Sequence, residues 1–384
     1  RGNNGNSGHV VKINRCYSTG TLTAASGIAL RSGVANGDAS WITVTDSAYV
    51  NIEGLTPHAG EVALTADQMK GWSVPYQLNG GATGGDSSKK GDVSGMTTWR
   101  MASAGENDGY PVLISASGAG VEQDGTTPTT TMQKATNWSQ VGEWVALFDP
   151  TAADGSTKLK PNLSTNNGTA AATPITLTTP EALAWYGYKL NTNPTEITSG
   201  STTYANAYVK LDAPSGTIDL TGELYGGSLN TGAATQEEQH RDVLKWVPIN
   251  APGNYFFGTF TATGTTIEHL SILQSLSGAG LFCSVGNAHL TGISIGSGFV
   301  ATTGSGYNAA ALVGQVPSGY TLTMTDCRNA ADVVTGDENA GGLVAWVDDD
   351  RNSGLVMERC GNTGNIASSY NAGGLLGYFG GGSL

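Results

Sequence analysis

The sequence repeats with a period of about thirty residues, and this period limits the folds open to the chain. A segment of the form Ala-Gly-Gly-Leu-Val recurs four times toward the C-terminus. Its leucines lie 31, 31 and 32 residues apart, at Leu281, Leu312, Leu343 and Leu375. A unit this short cannot bury an apolar face alone, so each copy has to stack on its neighbours.

Each repeat contains further short apolar segments. One recurs as Leu290–Ile295, Leu322–Cys327 and Leu355–Cys360, and a third apolar position follows at residues such as Val333 or Ile366. Apolar residues alternate in these segments, which is typical of strands with one buried face. The 56 glycines supply tight corners. The pattern predicts a mainly all-β chain: a parallel β-solenoid with about 30 residues and three strands per coil, whose leucines form an interior column.

Charge and composition exclude several classes of protein. The formal net charge is −13 with only 18 Lys and Arg, so there is no basic stripe for nucleic acid. No run of roughly 18 apolar residues occurs, so we expect no membrane insertion in this segment and any export signal or anchor outside it. Scarce Lys and Glu with abundant Thr, Asn and Gly favour an extracellular or cell-surface protein of bacteria.

The repeat resembles a known family. Ala-Gly-Gly-Leu with Val or Leu, a strand, then Cys and Thr-Gly-Thr-Leu, is similar to the GLUG-motif repeats of bacterial surface proteins. The family's leading segment is recognisable in 175–191 and 266–272. The resemblance covers residues 175–384 and departs from the motif at Cys283 and Ala345. It implies a right-handed parallel β-helix.

The elements that close such a domain, as the resemblance implies them, occur at the other end of this chain. They are a Cys-bearing coil at 15–22, a helix near 65–72, a strand at Trp99 and the ending Tyr110–Leu113. The resemblance therefore implies a domain in cyclically permuted order.

Domain boundaries follow from this order. Residues 175–384 are expected to form the N-terminal half of a β-helix module, and residues 1–114 its C-terminal half. Residues 115–174 connect one module to the next as extended chain or a small β insertion. Within them, Trp138 and an apolar strand predicted at Glu143–Phe148 have to be buried.

Two capping-box patterns predict short helices that cap the coils. Thr178 and Glu181 have the required spacing and predict a helix near 179–190, with Thr178 as N-cap. Thr65 and Gln68 repeat the arrangement. The apolar side chains of these helices are Leu183, Tyr186 and Leu190 in one and Met69 and Trp72 in the other.

The cysteines Cys16, Cys327 and Cys360 occupy equivalent repeat positions. Stacking would bring the Cα atoms of Cys327 and Cys360 to about 5 Å, which suits either a buried ladder of free thiols or a disulfide. No Cys-x-x-Cys pattern or nearby His accompanies them, so the cysteines do not indicate a metal site.

The densest acidic cluster is Asp348, Asp349 and Asp350, and it is the best candidate for a metal site. Calcium takes six to eight oxygen ligands, so these carboxylates would need help from backbone carbonyls. A solvated turn is the alternative, because no calcium-loop motif is present. No other cofactor is indicated.

The sequence offers no pattern for catalysis. The five histidines are scattered, and no Ser-His-Asp spacing, phosphate loop or dinucleotide motif stands out from chance matches among so many glycines. We therefore expect a non-enzymatic protein. The alternative is a carbohydrate-binding or polysaccharide-degrading β-helix protein, in which a groove would carry aromatic residues and paired carboxylates. The histidines are His9, His58, His240, His269 and His289.

An unfinished repeat indicates self-association. Residues 371–384 form the first half of a repeat whose second half occurs at 10–22. We expect a structural or adhesive module of a surface fibre, joined head to tail to other copies, with host or surface glycans as further partners. The expected contact residues are Leu375, Leu376, Tyr378 and Phe379 on one side and Val11, Ile13, Cys16 and Leu22 on the other.

Three arrangements would complete the half repeat. Copies follow each other in one long tandem chain, separate subunits stack head to tail, or residues 1–114 fold back to complete their own domain. The first two predict continuous β-stacking of residues near 375–384 on residues near 10–22 of another copy.

Overall fold

A computed structural model describes residues 11–14, 17–18, 42–45, 47–50, 61–70, 74, 78, 99–100, 110–113, 135–148, 158–250, 254–262, 264–275, 278–303, 307–335, 338–348 and 353–380. The chain divides into two compact units, Arg1–Ala135 with Leu147–Lys158 and Thr136–Ala146 with Leu159–Leu384. Strands predominate and most pairs of strands are parallel, so the fold is mainly β, as the alternating apolar pattern predicts. None of the helices in the described part is long and apolar enough to cross a membrane.

The first unit is built from short strands. Its elements are β1 (Val11–Asn14), β2 (Tyr17–Ser18), β3 (Ile42–Thr45), β4 (Ser47–Val50), β5 (Glu61–Leu64), helix α1 (Ala66–Met69), β6 (Trp99–Arg100) and β7 (Val112–Leu113). β1 and β3 pair in parallel with Val11 opposite Ile42, a step of 31 residues. β2, β4 and β5 form a second parallel sheet, and β6 and β7 are antiparallel. This unit therefore uses the repeat length predicted from the other end of the chain.

Helix α1 begins with the predicted capping box. The backbone N of Gln68 donates to Thr65 Oγ1 at 3.2 Å, and the backbone N of Thr65 donates to Gln68 Oε1 at 2.9 Å. Met69 is fully buried in a cluster with Ala48 and Leu64, as predicted. Trp72 lies outside the described residues.

The second unit contains the remaining strands. They are β8 (Ile175–Leu177), β9 (Ile197–Ser199), β10 (Thr202–Thr203), β11 (Tyr208–Leu211), β12 (Thr217–Asp219), β13 (Thr259–Ala262), β14 (Thr266–Glu268), β15 (Leu270–Gln274), β16 (Phe282–Ser284), β17 (His289–Thr291), β18 (Ser294–Ile295), β19 (Gly298–Thr302), β20 (Ala309–Ala310), β21 (Val313–Val316), β22 (Thr321–Thr325), β23 (Arg328–Asn329), β24 (Asp332–Thr335), β25 (Asn339–Gly341), β26 (Val344–Val347), β27 (Gly354–Glu358), β28 (Gly361–Asn362), β29 (Ile366–Ser368), β30 (Asn371–Gly373) and β31 (Leu376–Phe379).

The chain enters five parallel sheets in a fixed order and then returns to the first. β22 to β26 each belong to a different sheet, and β27 to β31 pair with them in the same order. One such passage is termed a rung, and the last two rungs are residues 321–347 and 354–379. Val313, Val344 and Leu376 stand opposite one another in steps of 31 and 32 residues, which confirms the predicted repeat.

Two details of the predicted repeat are wrong. A rung contains five strand segments, because two short ones accompany the three longer ones that the sequence predicts. Leu290 stands opposite Met324 and not opposite Leu322, a shift of two residues. The corner fixes this register, since Gly292 and Asp326 occupy the same corner with left-handed φ of 70° and 56°. A shift of two keeps the same side chains on the buried face.

The segment predicted as a strand at Glu143–Phe148 is instead helical. Helix α2 runs from Trp138 to Phe148, and its residues up to Ala146 belong to the second unit. Its buried residues recur at helical spacing, which the strand interpretation overlooked. The predicted burial is confirmed, and the buried side chains are Trp138, Val141, Trp144 and Val145.

Helix α3 (Pro180–Thr192) begins one residue later than predicted. Thr179, not Thr178, is the N-cap, and its Oγ1 accepts from the backbone N of Ala182 at 3.1 Å. Pro180 fits the first helical position because it needs no hydrogen-bond partner there. Glu181 does not close a capping box, because its buried carboxylate accepts from the hydroxyl of Tyr225 at 2.9 Å. The predicted apolar residues Leu183, Tyr186 and Leu190 are all fully buried.

Three shorter helical segments complete the described part of the second unit. They are helix α4 (Gln236–Gln239) and the 3₁₀ turns Tyr204–Asn206 and Glu223–Tyr225. Helices α2 and α3 pack closely, since a Cβ atom at Gly142 would lie 2.2 Å from the backbone oxygen of Ala184. The indole of Trp138 donates to the oxygen of Leu220 at 3.1 Å and meets Tyr225 edge to face.

The cap of helix α3 gives a direct test of its boundary. Thr179→Ala is expected to lower the free energy of unfolding by about 1 kcal/mol, because it removes the acceptor of an exposed helix N–H. Thr178→Ala is the matched control, since this neighbouring threonine is exposed and makes no cap bond. Urea denaturation measures both. An equal loss in the two variants would contradict the assignment of Thr179.

The stacked leucines give a second test. Leu312→Ala is expected to cost about 2–5 kcal/mol, because this leucine is fully buried and its removal leaves a cavity. Leu273→Ala, at a half-exposed position of β15, is expected to change stability by about 0.5 kcal/mol or less. Denaturant midpoints compare the two. A similar midpoint for both would mean that the leucine column does not carry the core.

Candidate functional site

The last rung presents open strand edges. β27, β28, β29, β30 and β31 each lie at the edge of their sheet, with the preceding rung on one side. An edge strand keeps a row of backbone donors and acceptors that another strand can pair with. The described part of the second unit therefore ends in five parallel edges that belong to one rung.

The apolar residues of this rung remain partly exposed. Leu343 is fully buried, whereas Leu375, its counterpart one repeat later, is 37% exposed. The same difference separates the other inward positions of the two rungs. The partly exposed surface is termed the end face, and its residues are Leu355, Met357, Ile366, Leu375, Leu376 and Phe379. Tyr378 is also exposed, but it stands opposite Trp346 on the outer side of the sheet.

Two amide ladders also end at this rung. Asn371 Nδ2 donates to Asn339 Oδ1 at 2.7 Å, and Asn339 Nδ2 donates to Asn308 Oδ1 at 2.7 Å. A second ladder joins Asn329 Nδ2 to Asn362 Oδ1 at 2.8 Å. Such ladders run along the stacking direction, so they align successive rungs in addition to the backbone bonds.

The corner before each repeat cysteine has an unusual backbone. Asp326 and Arg359 adopt left-handed φ of 56° and 54°, where Gly292 stands in the rung before. The Arg359 guanidinium bonds both carboxylate oxygens of Asp326, at 2.8 and 3.0 Å. This hydrogen bonding lowers the pKa of Asp326 below its usual value. Because the pair is exposed, it orients the corner more than it stabilises the fold.

The cysteines after these corners are free thiols. Cys327 is fully buried, and burial raises the pKa of its thiol to about 12. Cys360, one rung later, is only partly buried, and it influences the same pKa. A thiol with so high a pKa stays protonated and packs as a small apolar group, which agrees with the thiol ladder. Cys16 lies outside the described residues.

The first unit contains a rung segment of the same design. β22 ends two residues before Cys327 and β23 begins directly after it; β27 and β28 are placed in the same way about Cys360. β1 and β2 have this placement about Cys16. Both are also edge strands of their sheets. Of the predicted contact residues on this side, Val11 and Ile13 therefore lie in an edge strand, while Leu22 is outside the described residues.

The predicted calcium site stays a prediction. Asp349 and Asp350 lie outside the described residues. Asp348 accepts from the backbone N of Ser318 at 3.1 Å, which fastens one turn to the next. Within the described ranges, no three His, Cys, Asp or Glu residues are grouped so that they could hold a metal ion.

Two histidines that the sequence analysis treated as scattered meet in the second unit. His240 Nε2 and His269 Nδ1 are 3.3 Å apart, and His240 is 2% exposed. His240 Nδ1 lies 2.8 Å from the backbone oxygen of Gln236. His269 has a left-handed φ of 61° and faces Ser297 Oγ at 3.1 Å. The two residues are 29 positions apart and on different elements, so no spacing in the sequence could have indicated the pair.

Burial lowers the pKa of His240. The neighbouring His269 and the ammonium of Lys245 act in the same direction, whereas the bond to Gln236 and the carboxylate of Asp332 oppose them. His240 is therefore held neutral in the folded protein. A neutral ring with Nδ1–H donated to Gln236 keeps a lone pair on Nε2.

No protein-family model, curated protein or solved structure matches this chain. The function has to be inferred from the residues and geometry of the chain itself.

The lowered pKa of His240 predicts how stability depends on pH. Unfolded histidine titrates near 6.5, above the folded value, so the unfolded state binds more protons as the pH falls through this range. Unfolding midpoints are thus expected to fall between about pH 7 and about pH 5, and His240→Gln is expected to flatten this slope. His289→Gln, at an exposed histidine, is the control and should keep the slope. An unchanged slope in His240→Gln would contradict the neutral state.

Proposed function

We propose that this chain is a non-catalytic structural or adhesive module of an extracellular, bacterial surface fibre. In this proposal the five sheets are the faces of a right-handed parallel β-solenoid, with about 30 residues per coil. The fixed order of the sheets and the uniform step between paired strands support it. The resemblance to GLUG-motif repeats and the acidic, glycine-rich composition support the surface location.

The observation that carries the proposal is the match between two open rungs. The end face and the strand pair β1–β2 both present parallel strand edges with the same corner design. Counting from the cysteines places Val11 opposite Leu355 and Ile13 opposite Met357 when a second copy continues the stack. Apolar positions thus meet apolar positions, and the backbone edges find partners.

The energetics indicate which head-to-tail arrangement forms readily. The end-face side chains are roughly one third exposed, so closing the face adds about 0.5–1 kcal/mol each, or about 3–6 kcal/mol for six residues. Association of separate molecules costs about 4–15 kcal/mol. Strand pairing has to supply the remainder. Stacking is therefore weak between separate subunits and strong in a tandem chain, where the local concentration of the next module is high.

Lysine substitution at the end face tests the proposal. At high protein concentration the native chain is expected to form end-to-end oligomers, seen as threads by negative-stain microscopy and as faster species in sedimentation velocity. Leu375→Lys is expected to abolish them, because a charged edge opposes strand addition. Leu273→Lys, on an outer position of β15, is the matched control. Native chains that stay monomeric, or oligomers unaffected by Leu375→Lys, would refute head-to-tail stacking.

Thiol cross-linking checks the register in the same preparation. Cys327→Ala leaves Cys360 as the repeat cysteine of the last rungs, and a short thiol cross-linker is then expected to join Cys360 to Cys16. Mixing isotopically labelled and unlabelled copies separates the arrangements. Mixed-label peptides support stacking between molecules, whereas links within one label only would mean that the chain folds back on itself.

A further inference from the structure

The histidine pair has the dimensions of a metal site. Two imidazole nitrogens that bind zinc at about 2.0–2.1 Å with tetrahedral geometry lie roughly 3.3–3.4 Å apart. Square-planar geometry brings them to about 2.9 Å. The observed separation of His240 Nε2 and His269 Nδ1 is 3.3 Å, which fits tetrahedral zinc.

The hydrogen bonds around the pair hold His240 in the tautomer that binds metals. Its Nδ1 is bonded to the backbone oxygen of Gln236 at 2.8 Å, the outer contact that usually orients a zinc-binding histidine. Ser297 donates to Glu268 Oε2 at 2.6 Å, so its hydroxyl cannot also donate to His269. A single proton on His269 Nδ1 is thus shared between Ser297 Oγ and His240 Nε2, at 3.1 and 3.3 Å. One cation can replace this weakly held proton.

A third ligand stands next to the pair. The Glu268 carboxylate is one hydroxyl away from His269, bridged by Ser297 Oγ. It packs over Gly296, where a Cβ atom would lie 2.0 Å from Glu268 Oε1, so the glycine leaves the carboxylate its room. Only two ligand nitrogens converge as the side chains stand, and Glu268 becomes the third by turning away from Ser297.

The local charge favours a cation. Lys245 contributes one positive charge, but its ammonium is bonded to Ser271 Oγ and to the backbone oxygens of the 240–243 turn. Glu268 and Asp332 contribute two negative charges around the neutral pair. The sum is −1, which zinc would reverse to +1.

We propose that His240 Nε2, His269 Nδ1 and the Glu268 carboxylate bind one zinc ion, with water as the fourth ligand. The site would tie the segment around helix α4 to strands β14 and β15. The Gln236 side chain already fastens this segment, since it donates to the oxygen of Ala330 and accepts from the backbone N of Gly298. The ion would add a third attachment, independent of the end face.

Zinc chloride added to chelator-treated protein tests the proposal. Isothermal titration is expected to show one site per chain, with affinity at least tenfold lower in His240→Gln and in His269→Gln. His289→Gln is the matched control and should bind as the native chain does. Glu268→Gln is expected to weaken binding less than either histidine variant, because two nitrogen ligands remain. Cobalt(II) gives a second readout, since a four-coordinate ion absorbs strongly in the visible range.

A measurement on the native chain guards against variants that fail to fold. In ¹H–¹³C spectra of the histidine rings, zinc is expected to move the signals of His240 and His269 and to leave that of His289 in place. Absence of saturable zinc binding would overturn the proposal. Binding that persists in both histidine variants, or ring signals that do not move, would overturn it as well.

Discussion

Each rung buries its apolar side chains only against the next rung, and the rest of the second unit depends on this constraint. Leu343 is fully buried because Leu312 and Leu375 stand on either side of it. Backbone hydrogen bonds between rungs follow the same direction, so packing and strand pairing are satisfied together. A rung with a neighbour on one side only is necessarily incomplete, and this is the physical origin of the end face.

Polar groups specify the register that apolar stacking leaves loose. A leucine column alone tolerates displacement, whereas the ladder of Asn308, Asn339 and Asn371 aligns one amide with the next. The left-handed corners at Asp326 and Arg359 act in the same way, because they fix where each strand stops. A copy that continues the stack has to satisfy these features as well as the apolar positions. Strand β1 and strand β2, which flank Cys16 as their counterparts flank Cys327 and Cys360, meet that requirement in their placement.

Local rules predicted the elements where one interaction dominates. The capping box at Thr65 was correct because both reciprocal bonds lie within four residues. The cap at Thr178 was displaced by one residue because two threonines precede Pro180, and Glu181 found a partner, Tyr225, that lies 44 positions away. Residues 143–148 were predicted as a strand because Trp, Val and Phe favour strands. Helical burial of Trp138 and Trp144 against distant residues overrode that propensity.

The sequence by itself determined the repeat length, the mainly β character and the inward leucines, because a period of 31 residues with alternating apolar positions permits little else. It also indicated that one rung lacks a partner. Only the tertiary structure decided the five segments per rung, the register of Leu290 on Met324 and the helix at 138–148. The meeting of His240 and His269 likewise belongs to the tertiary structure. These features depend on contacts between residues far apart in the chain, and local patterns carry no record of such contacts.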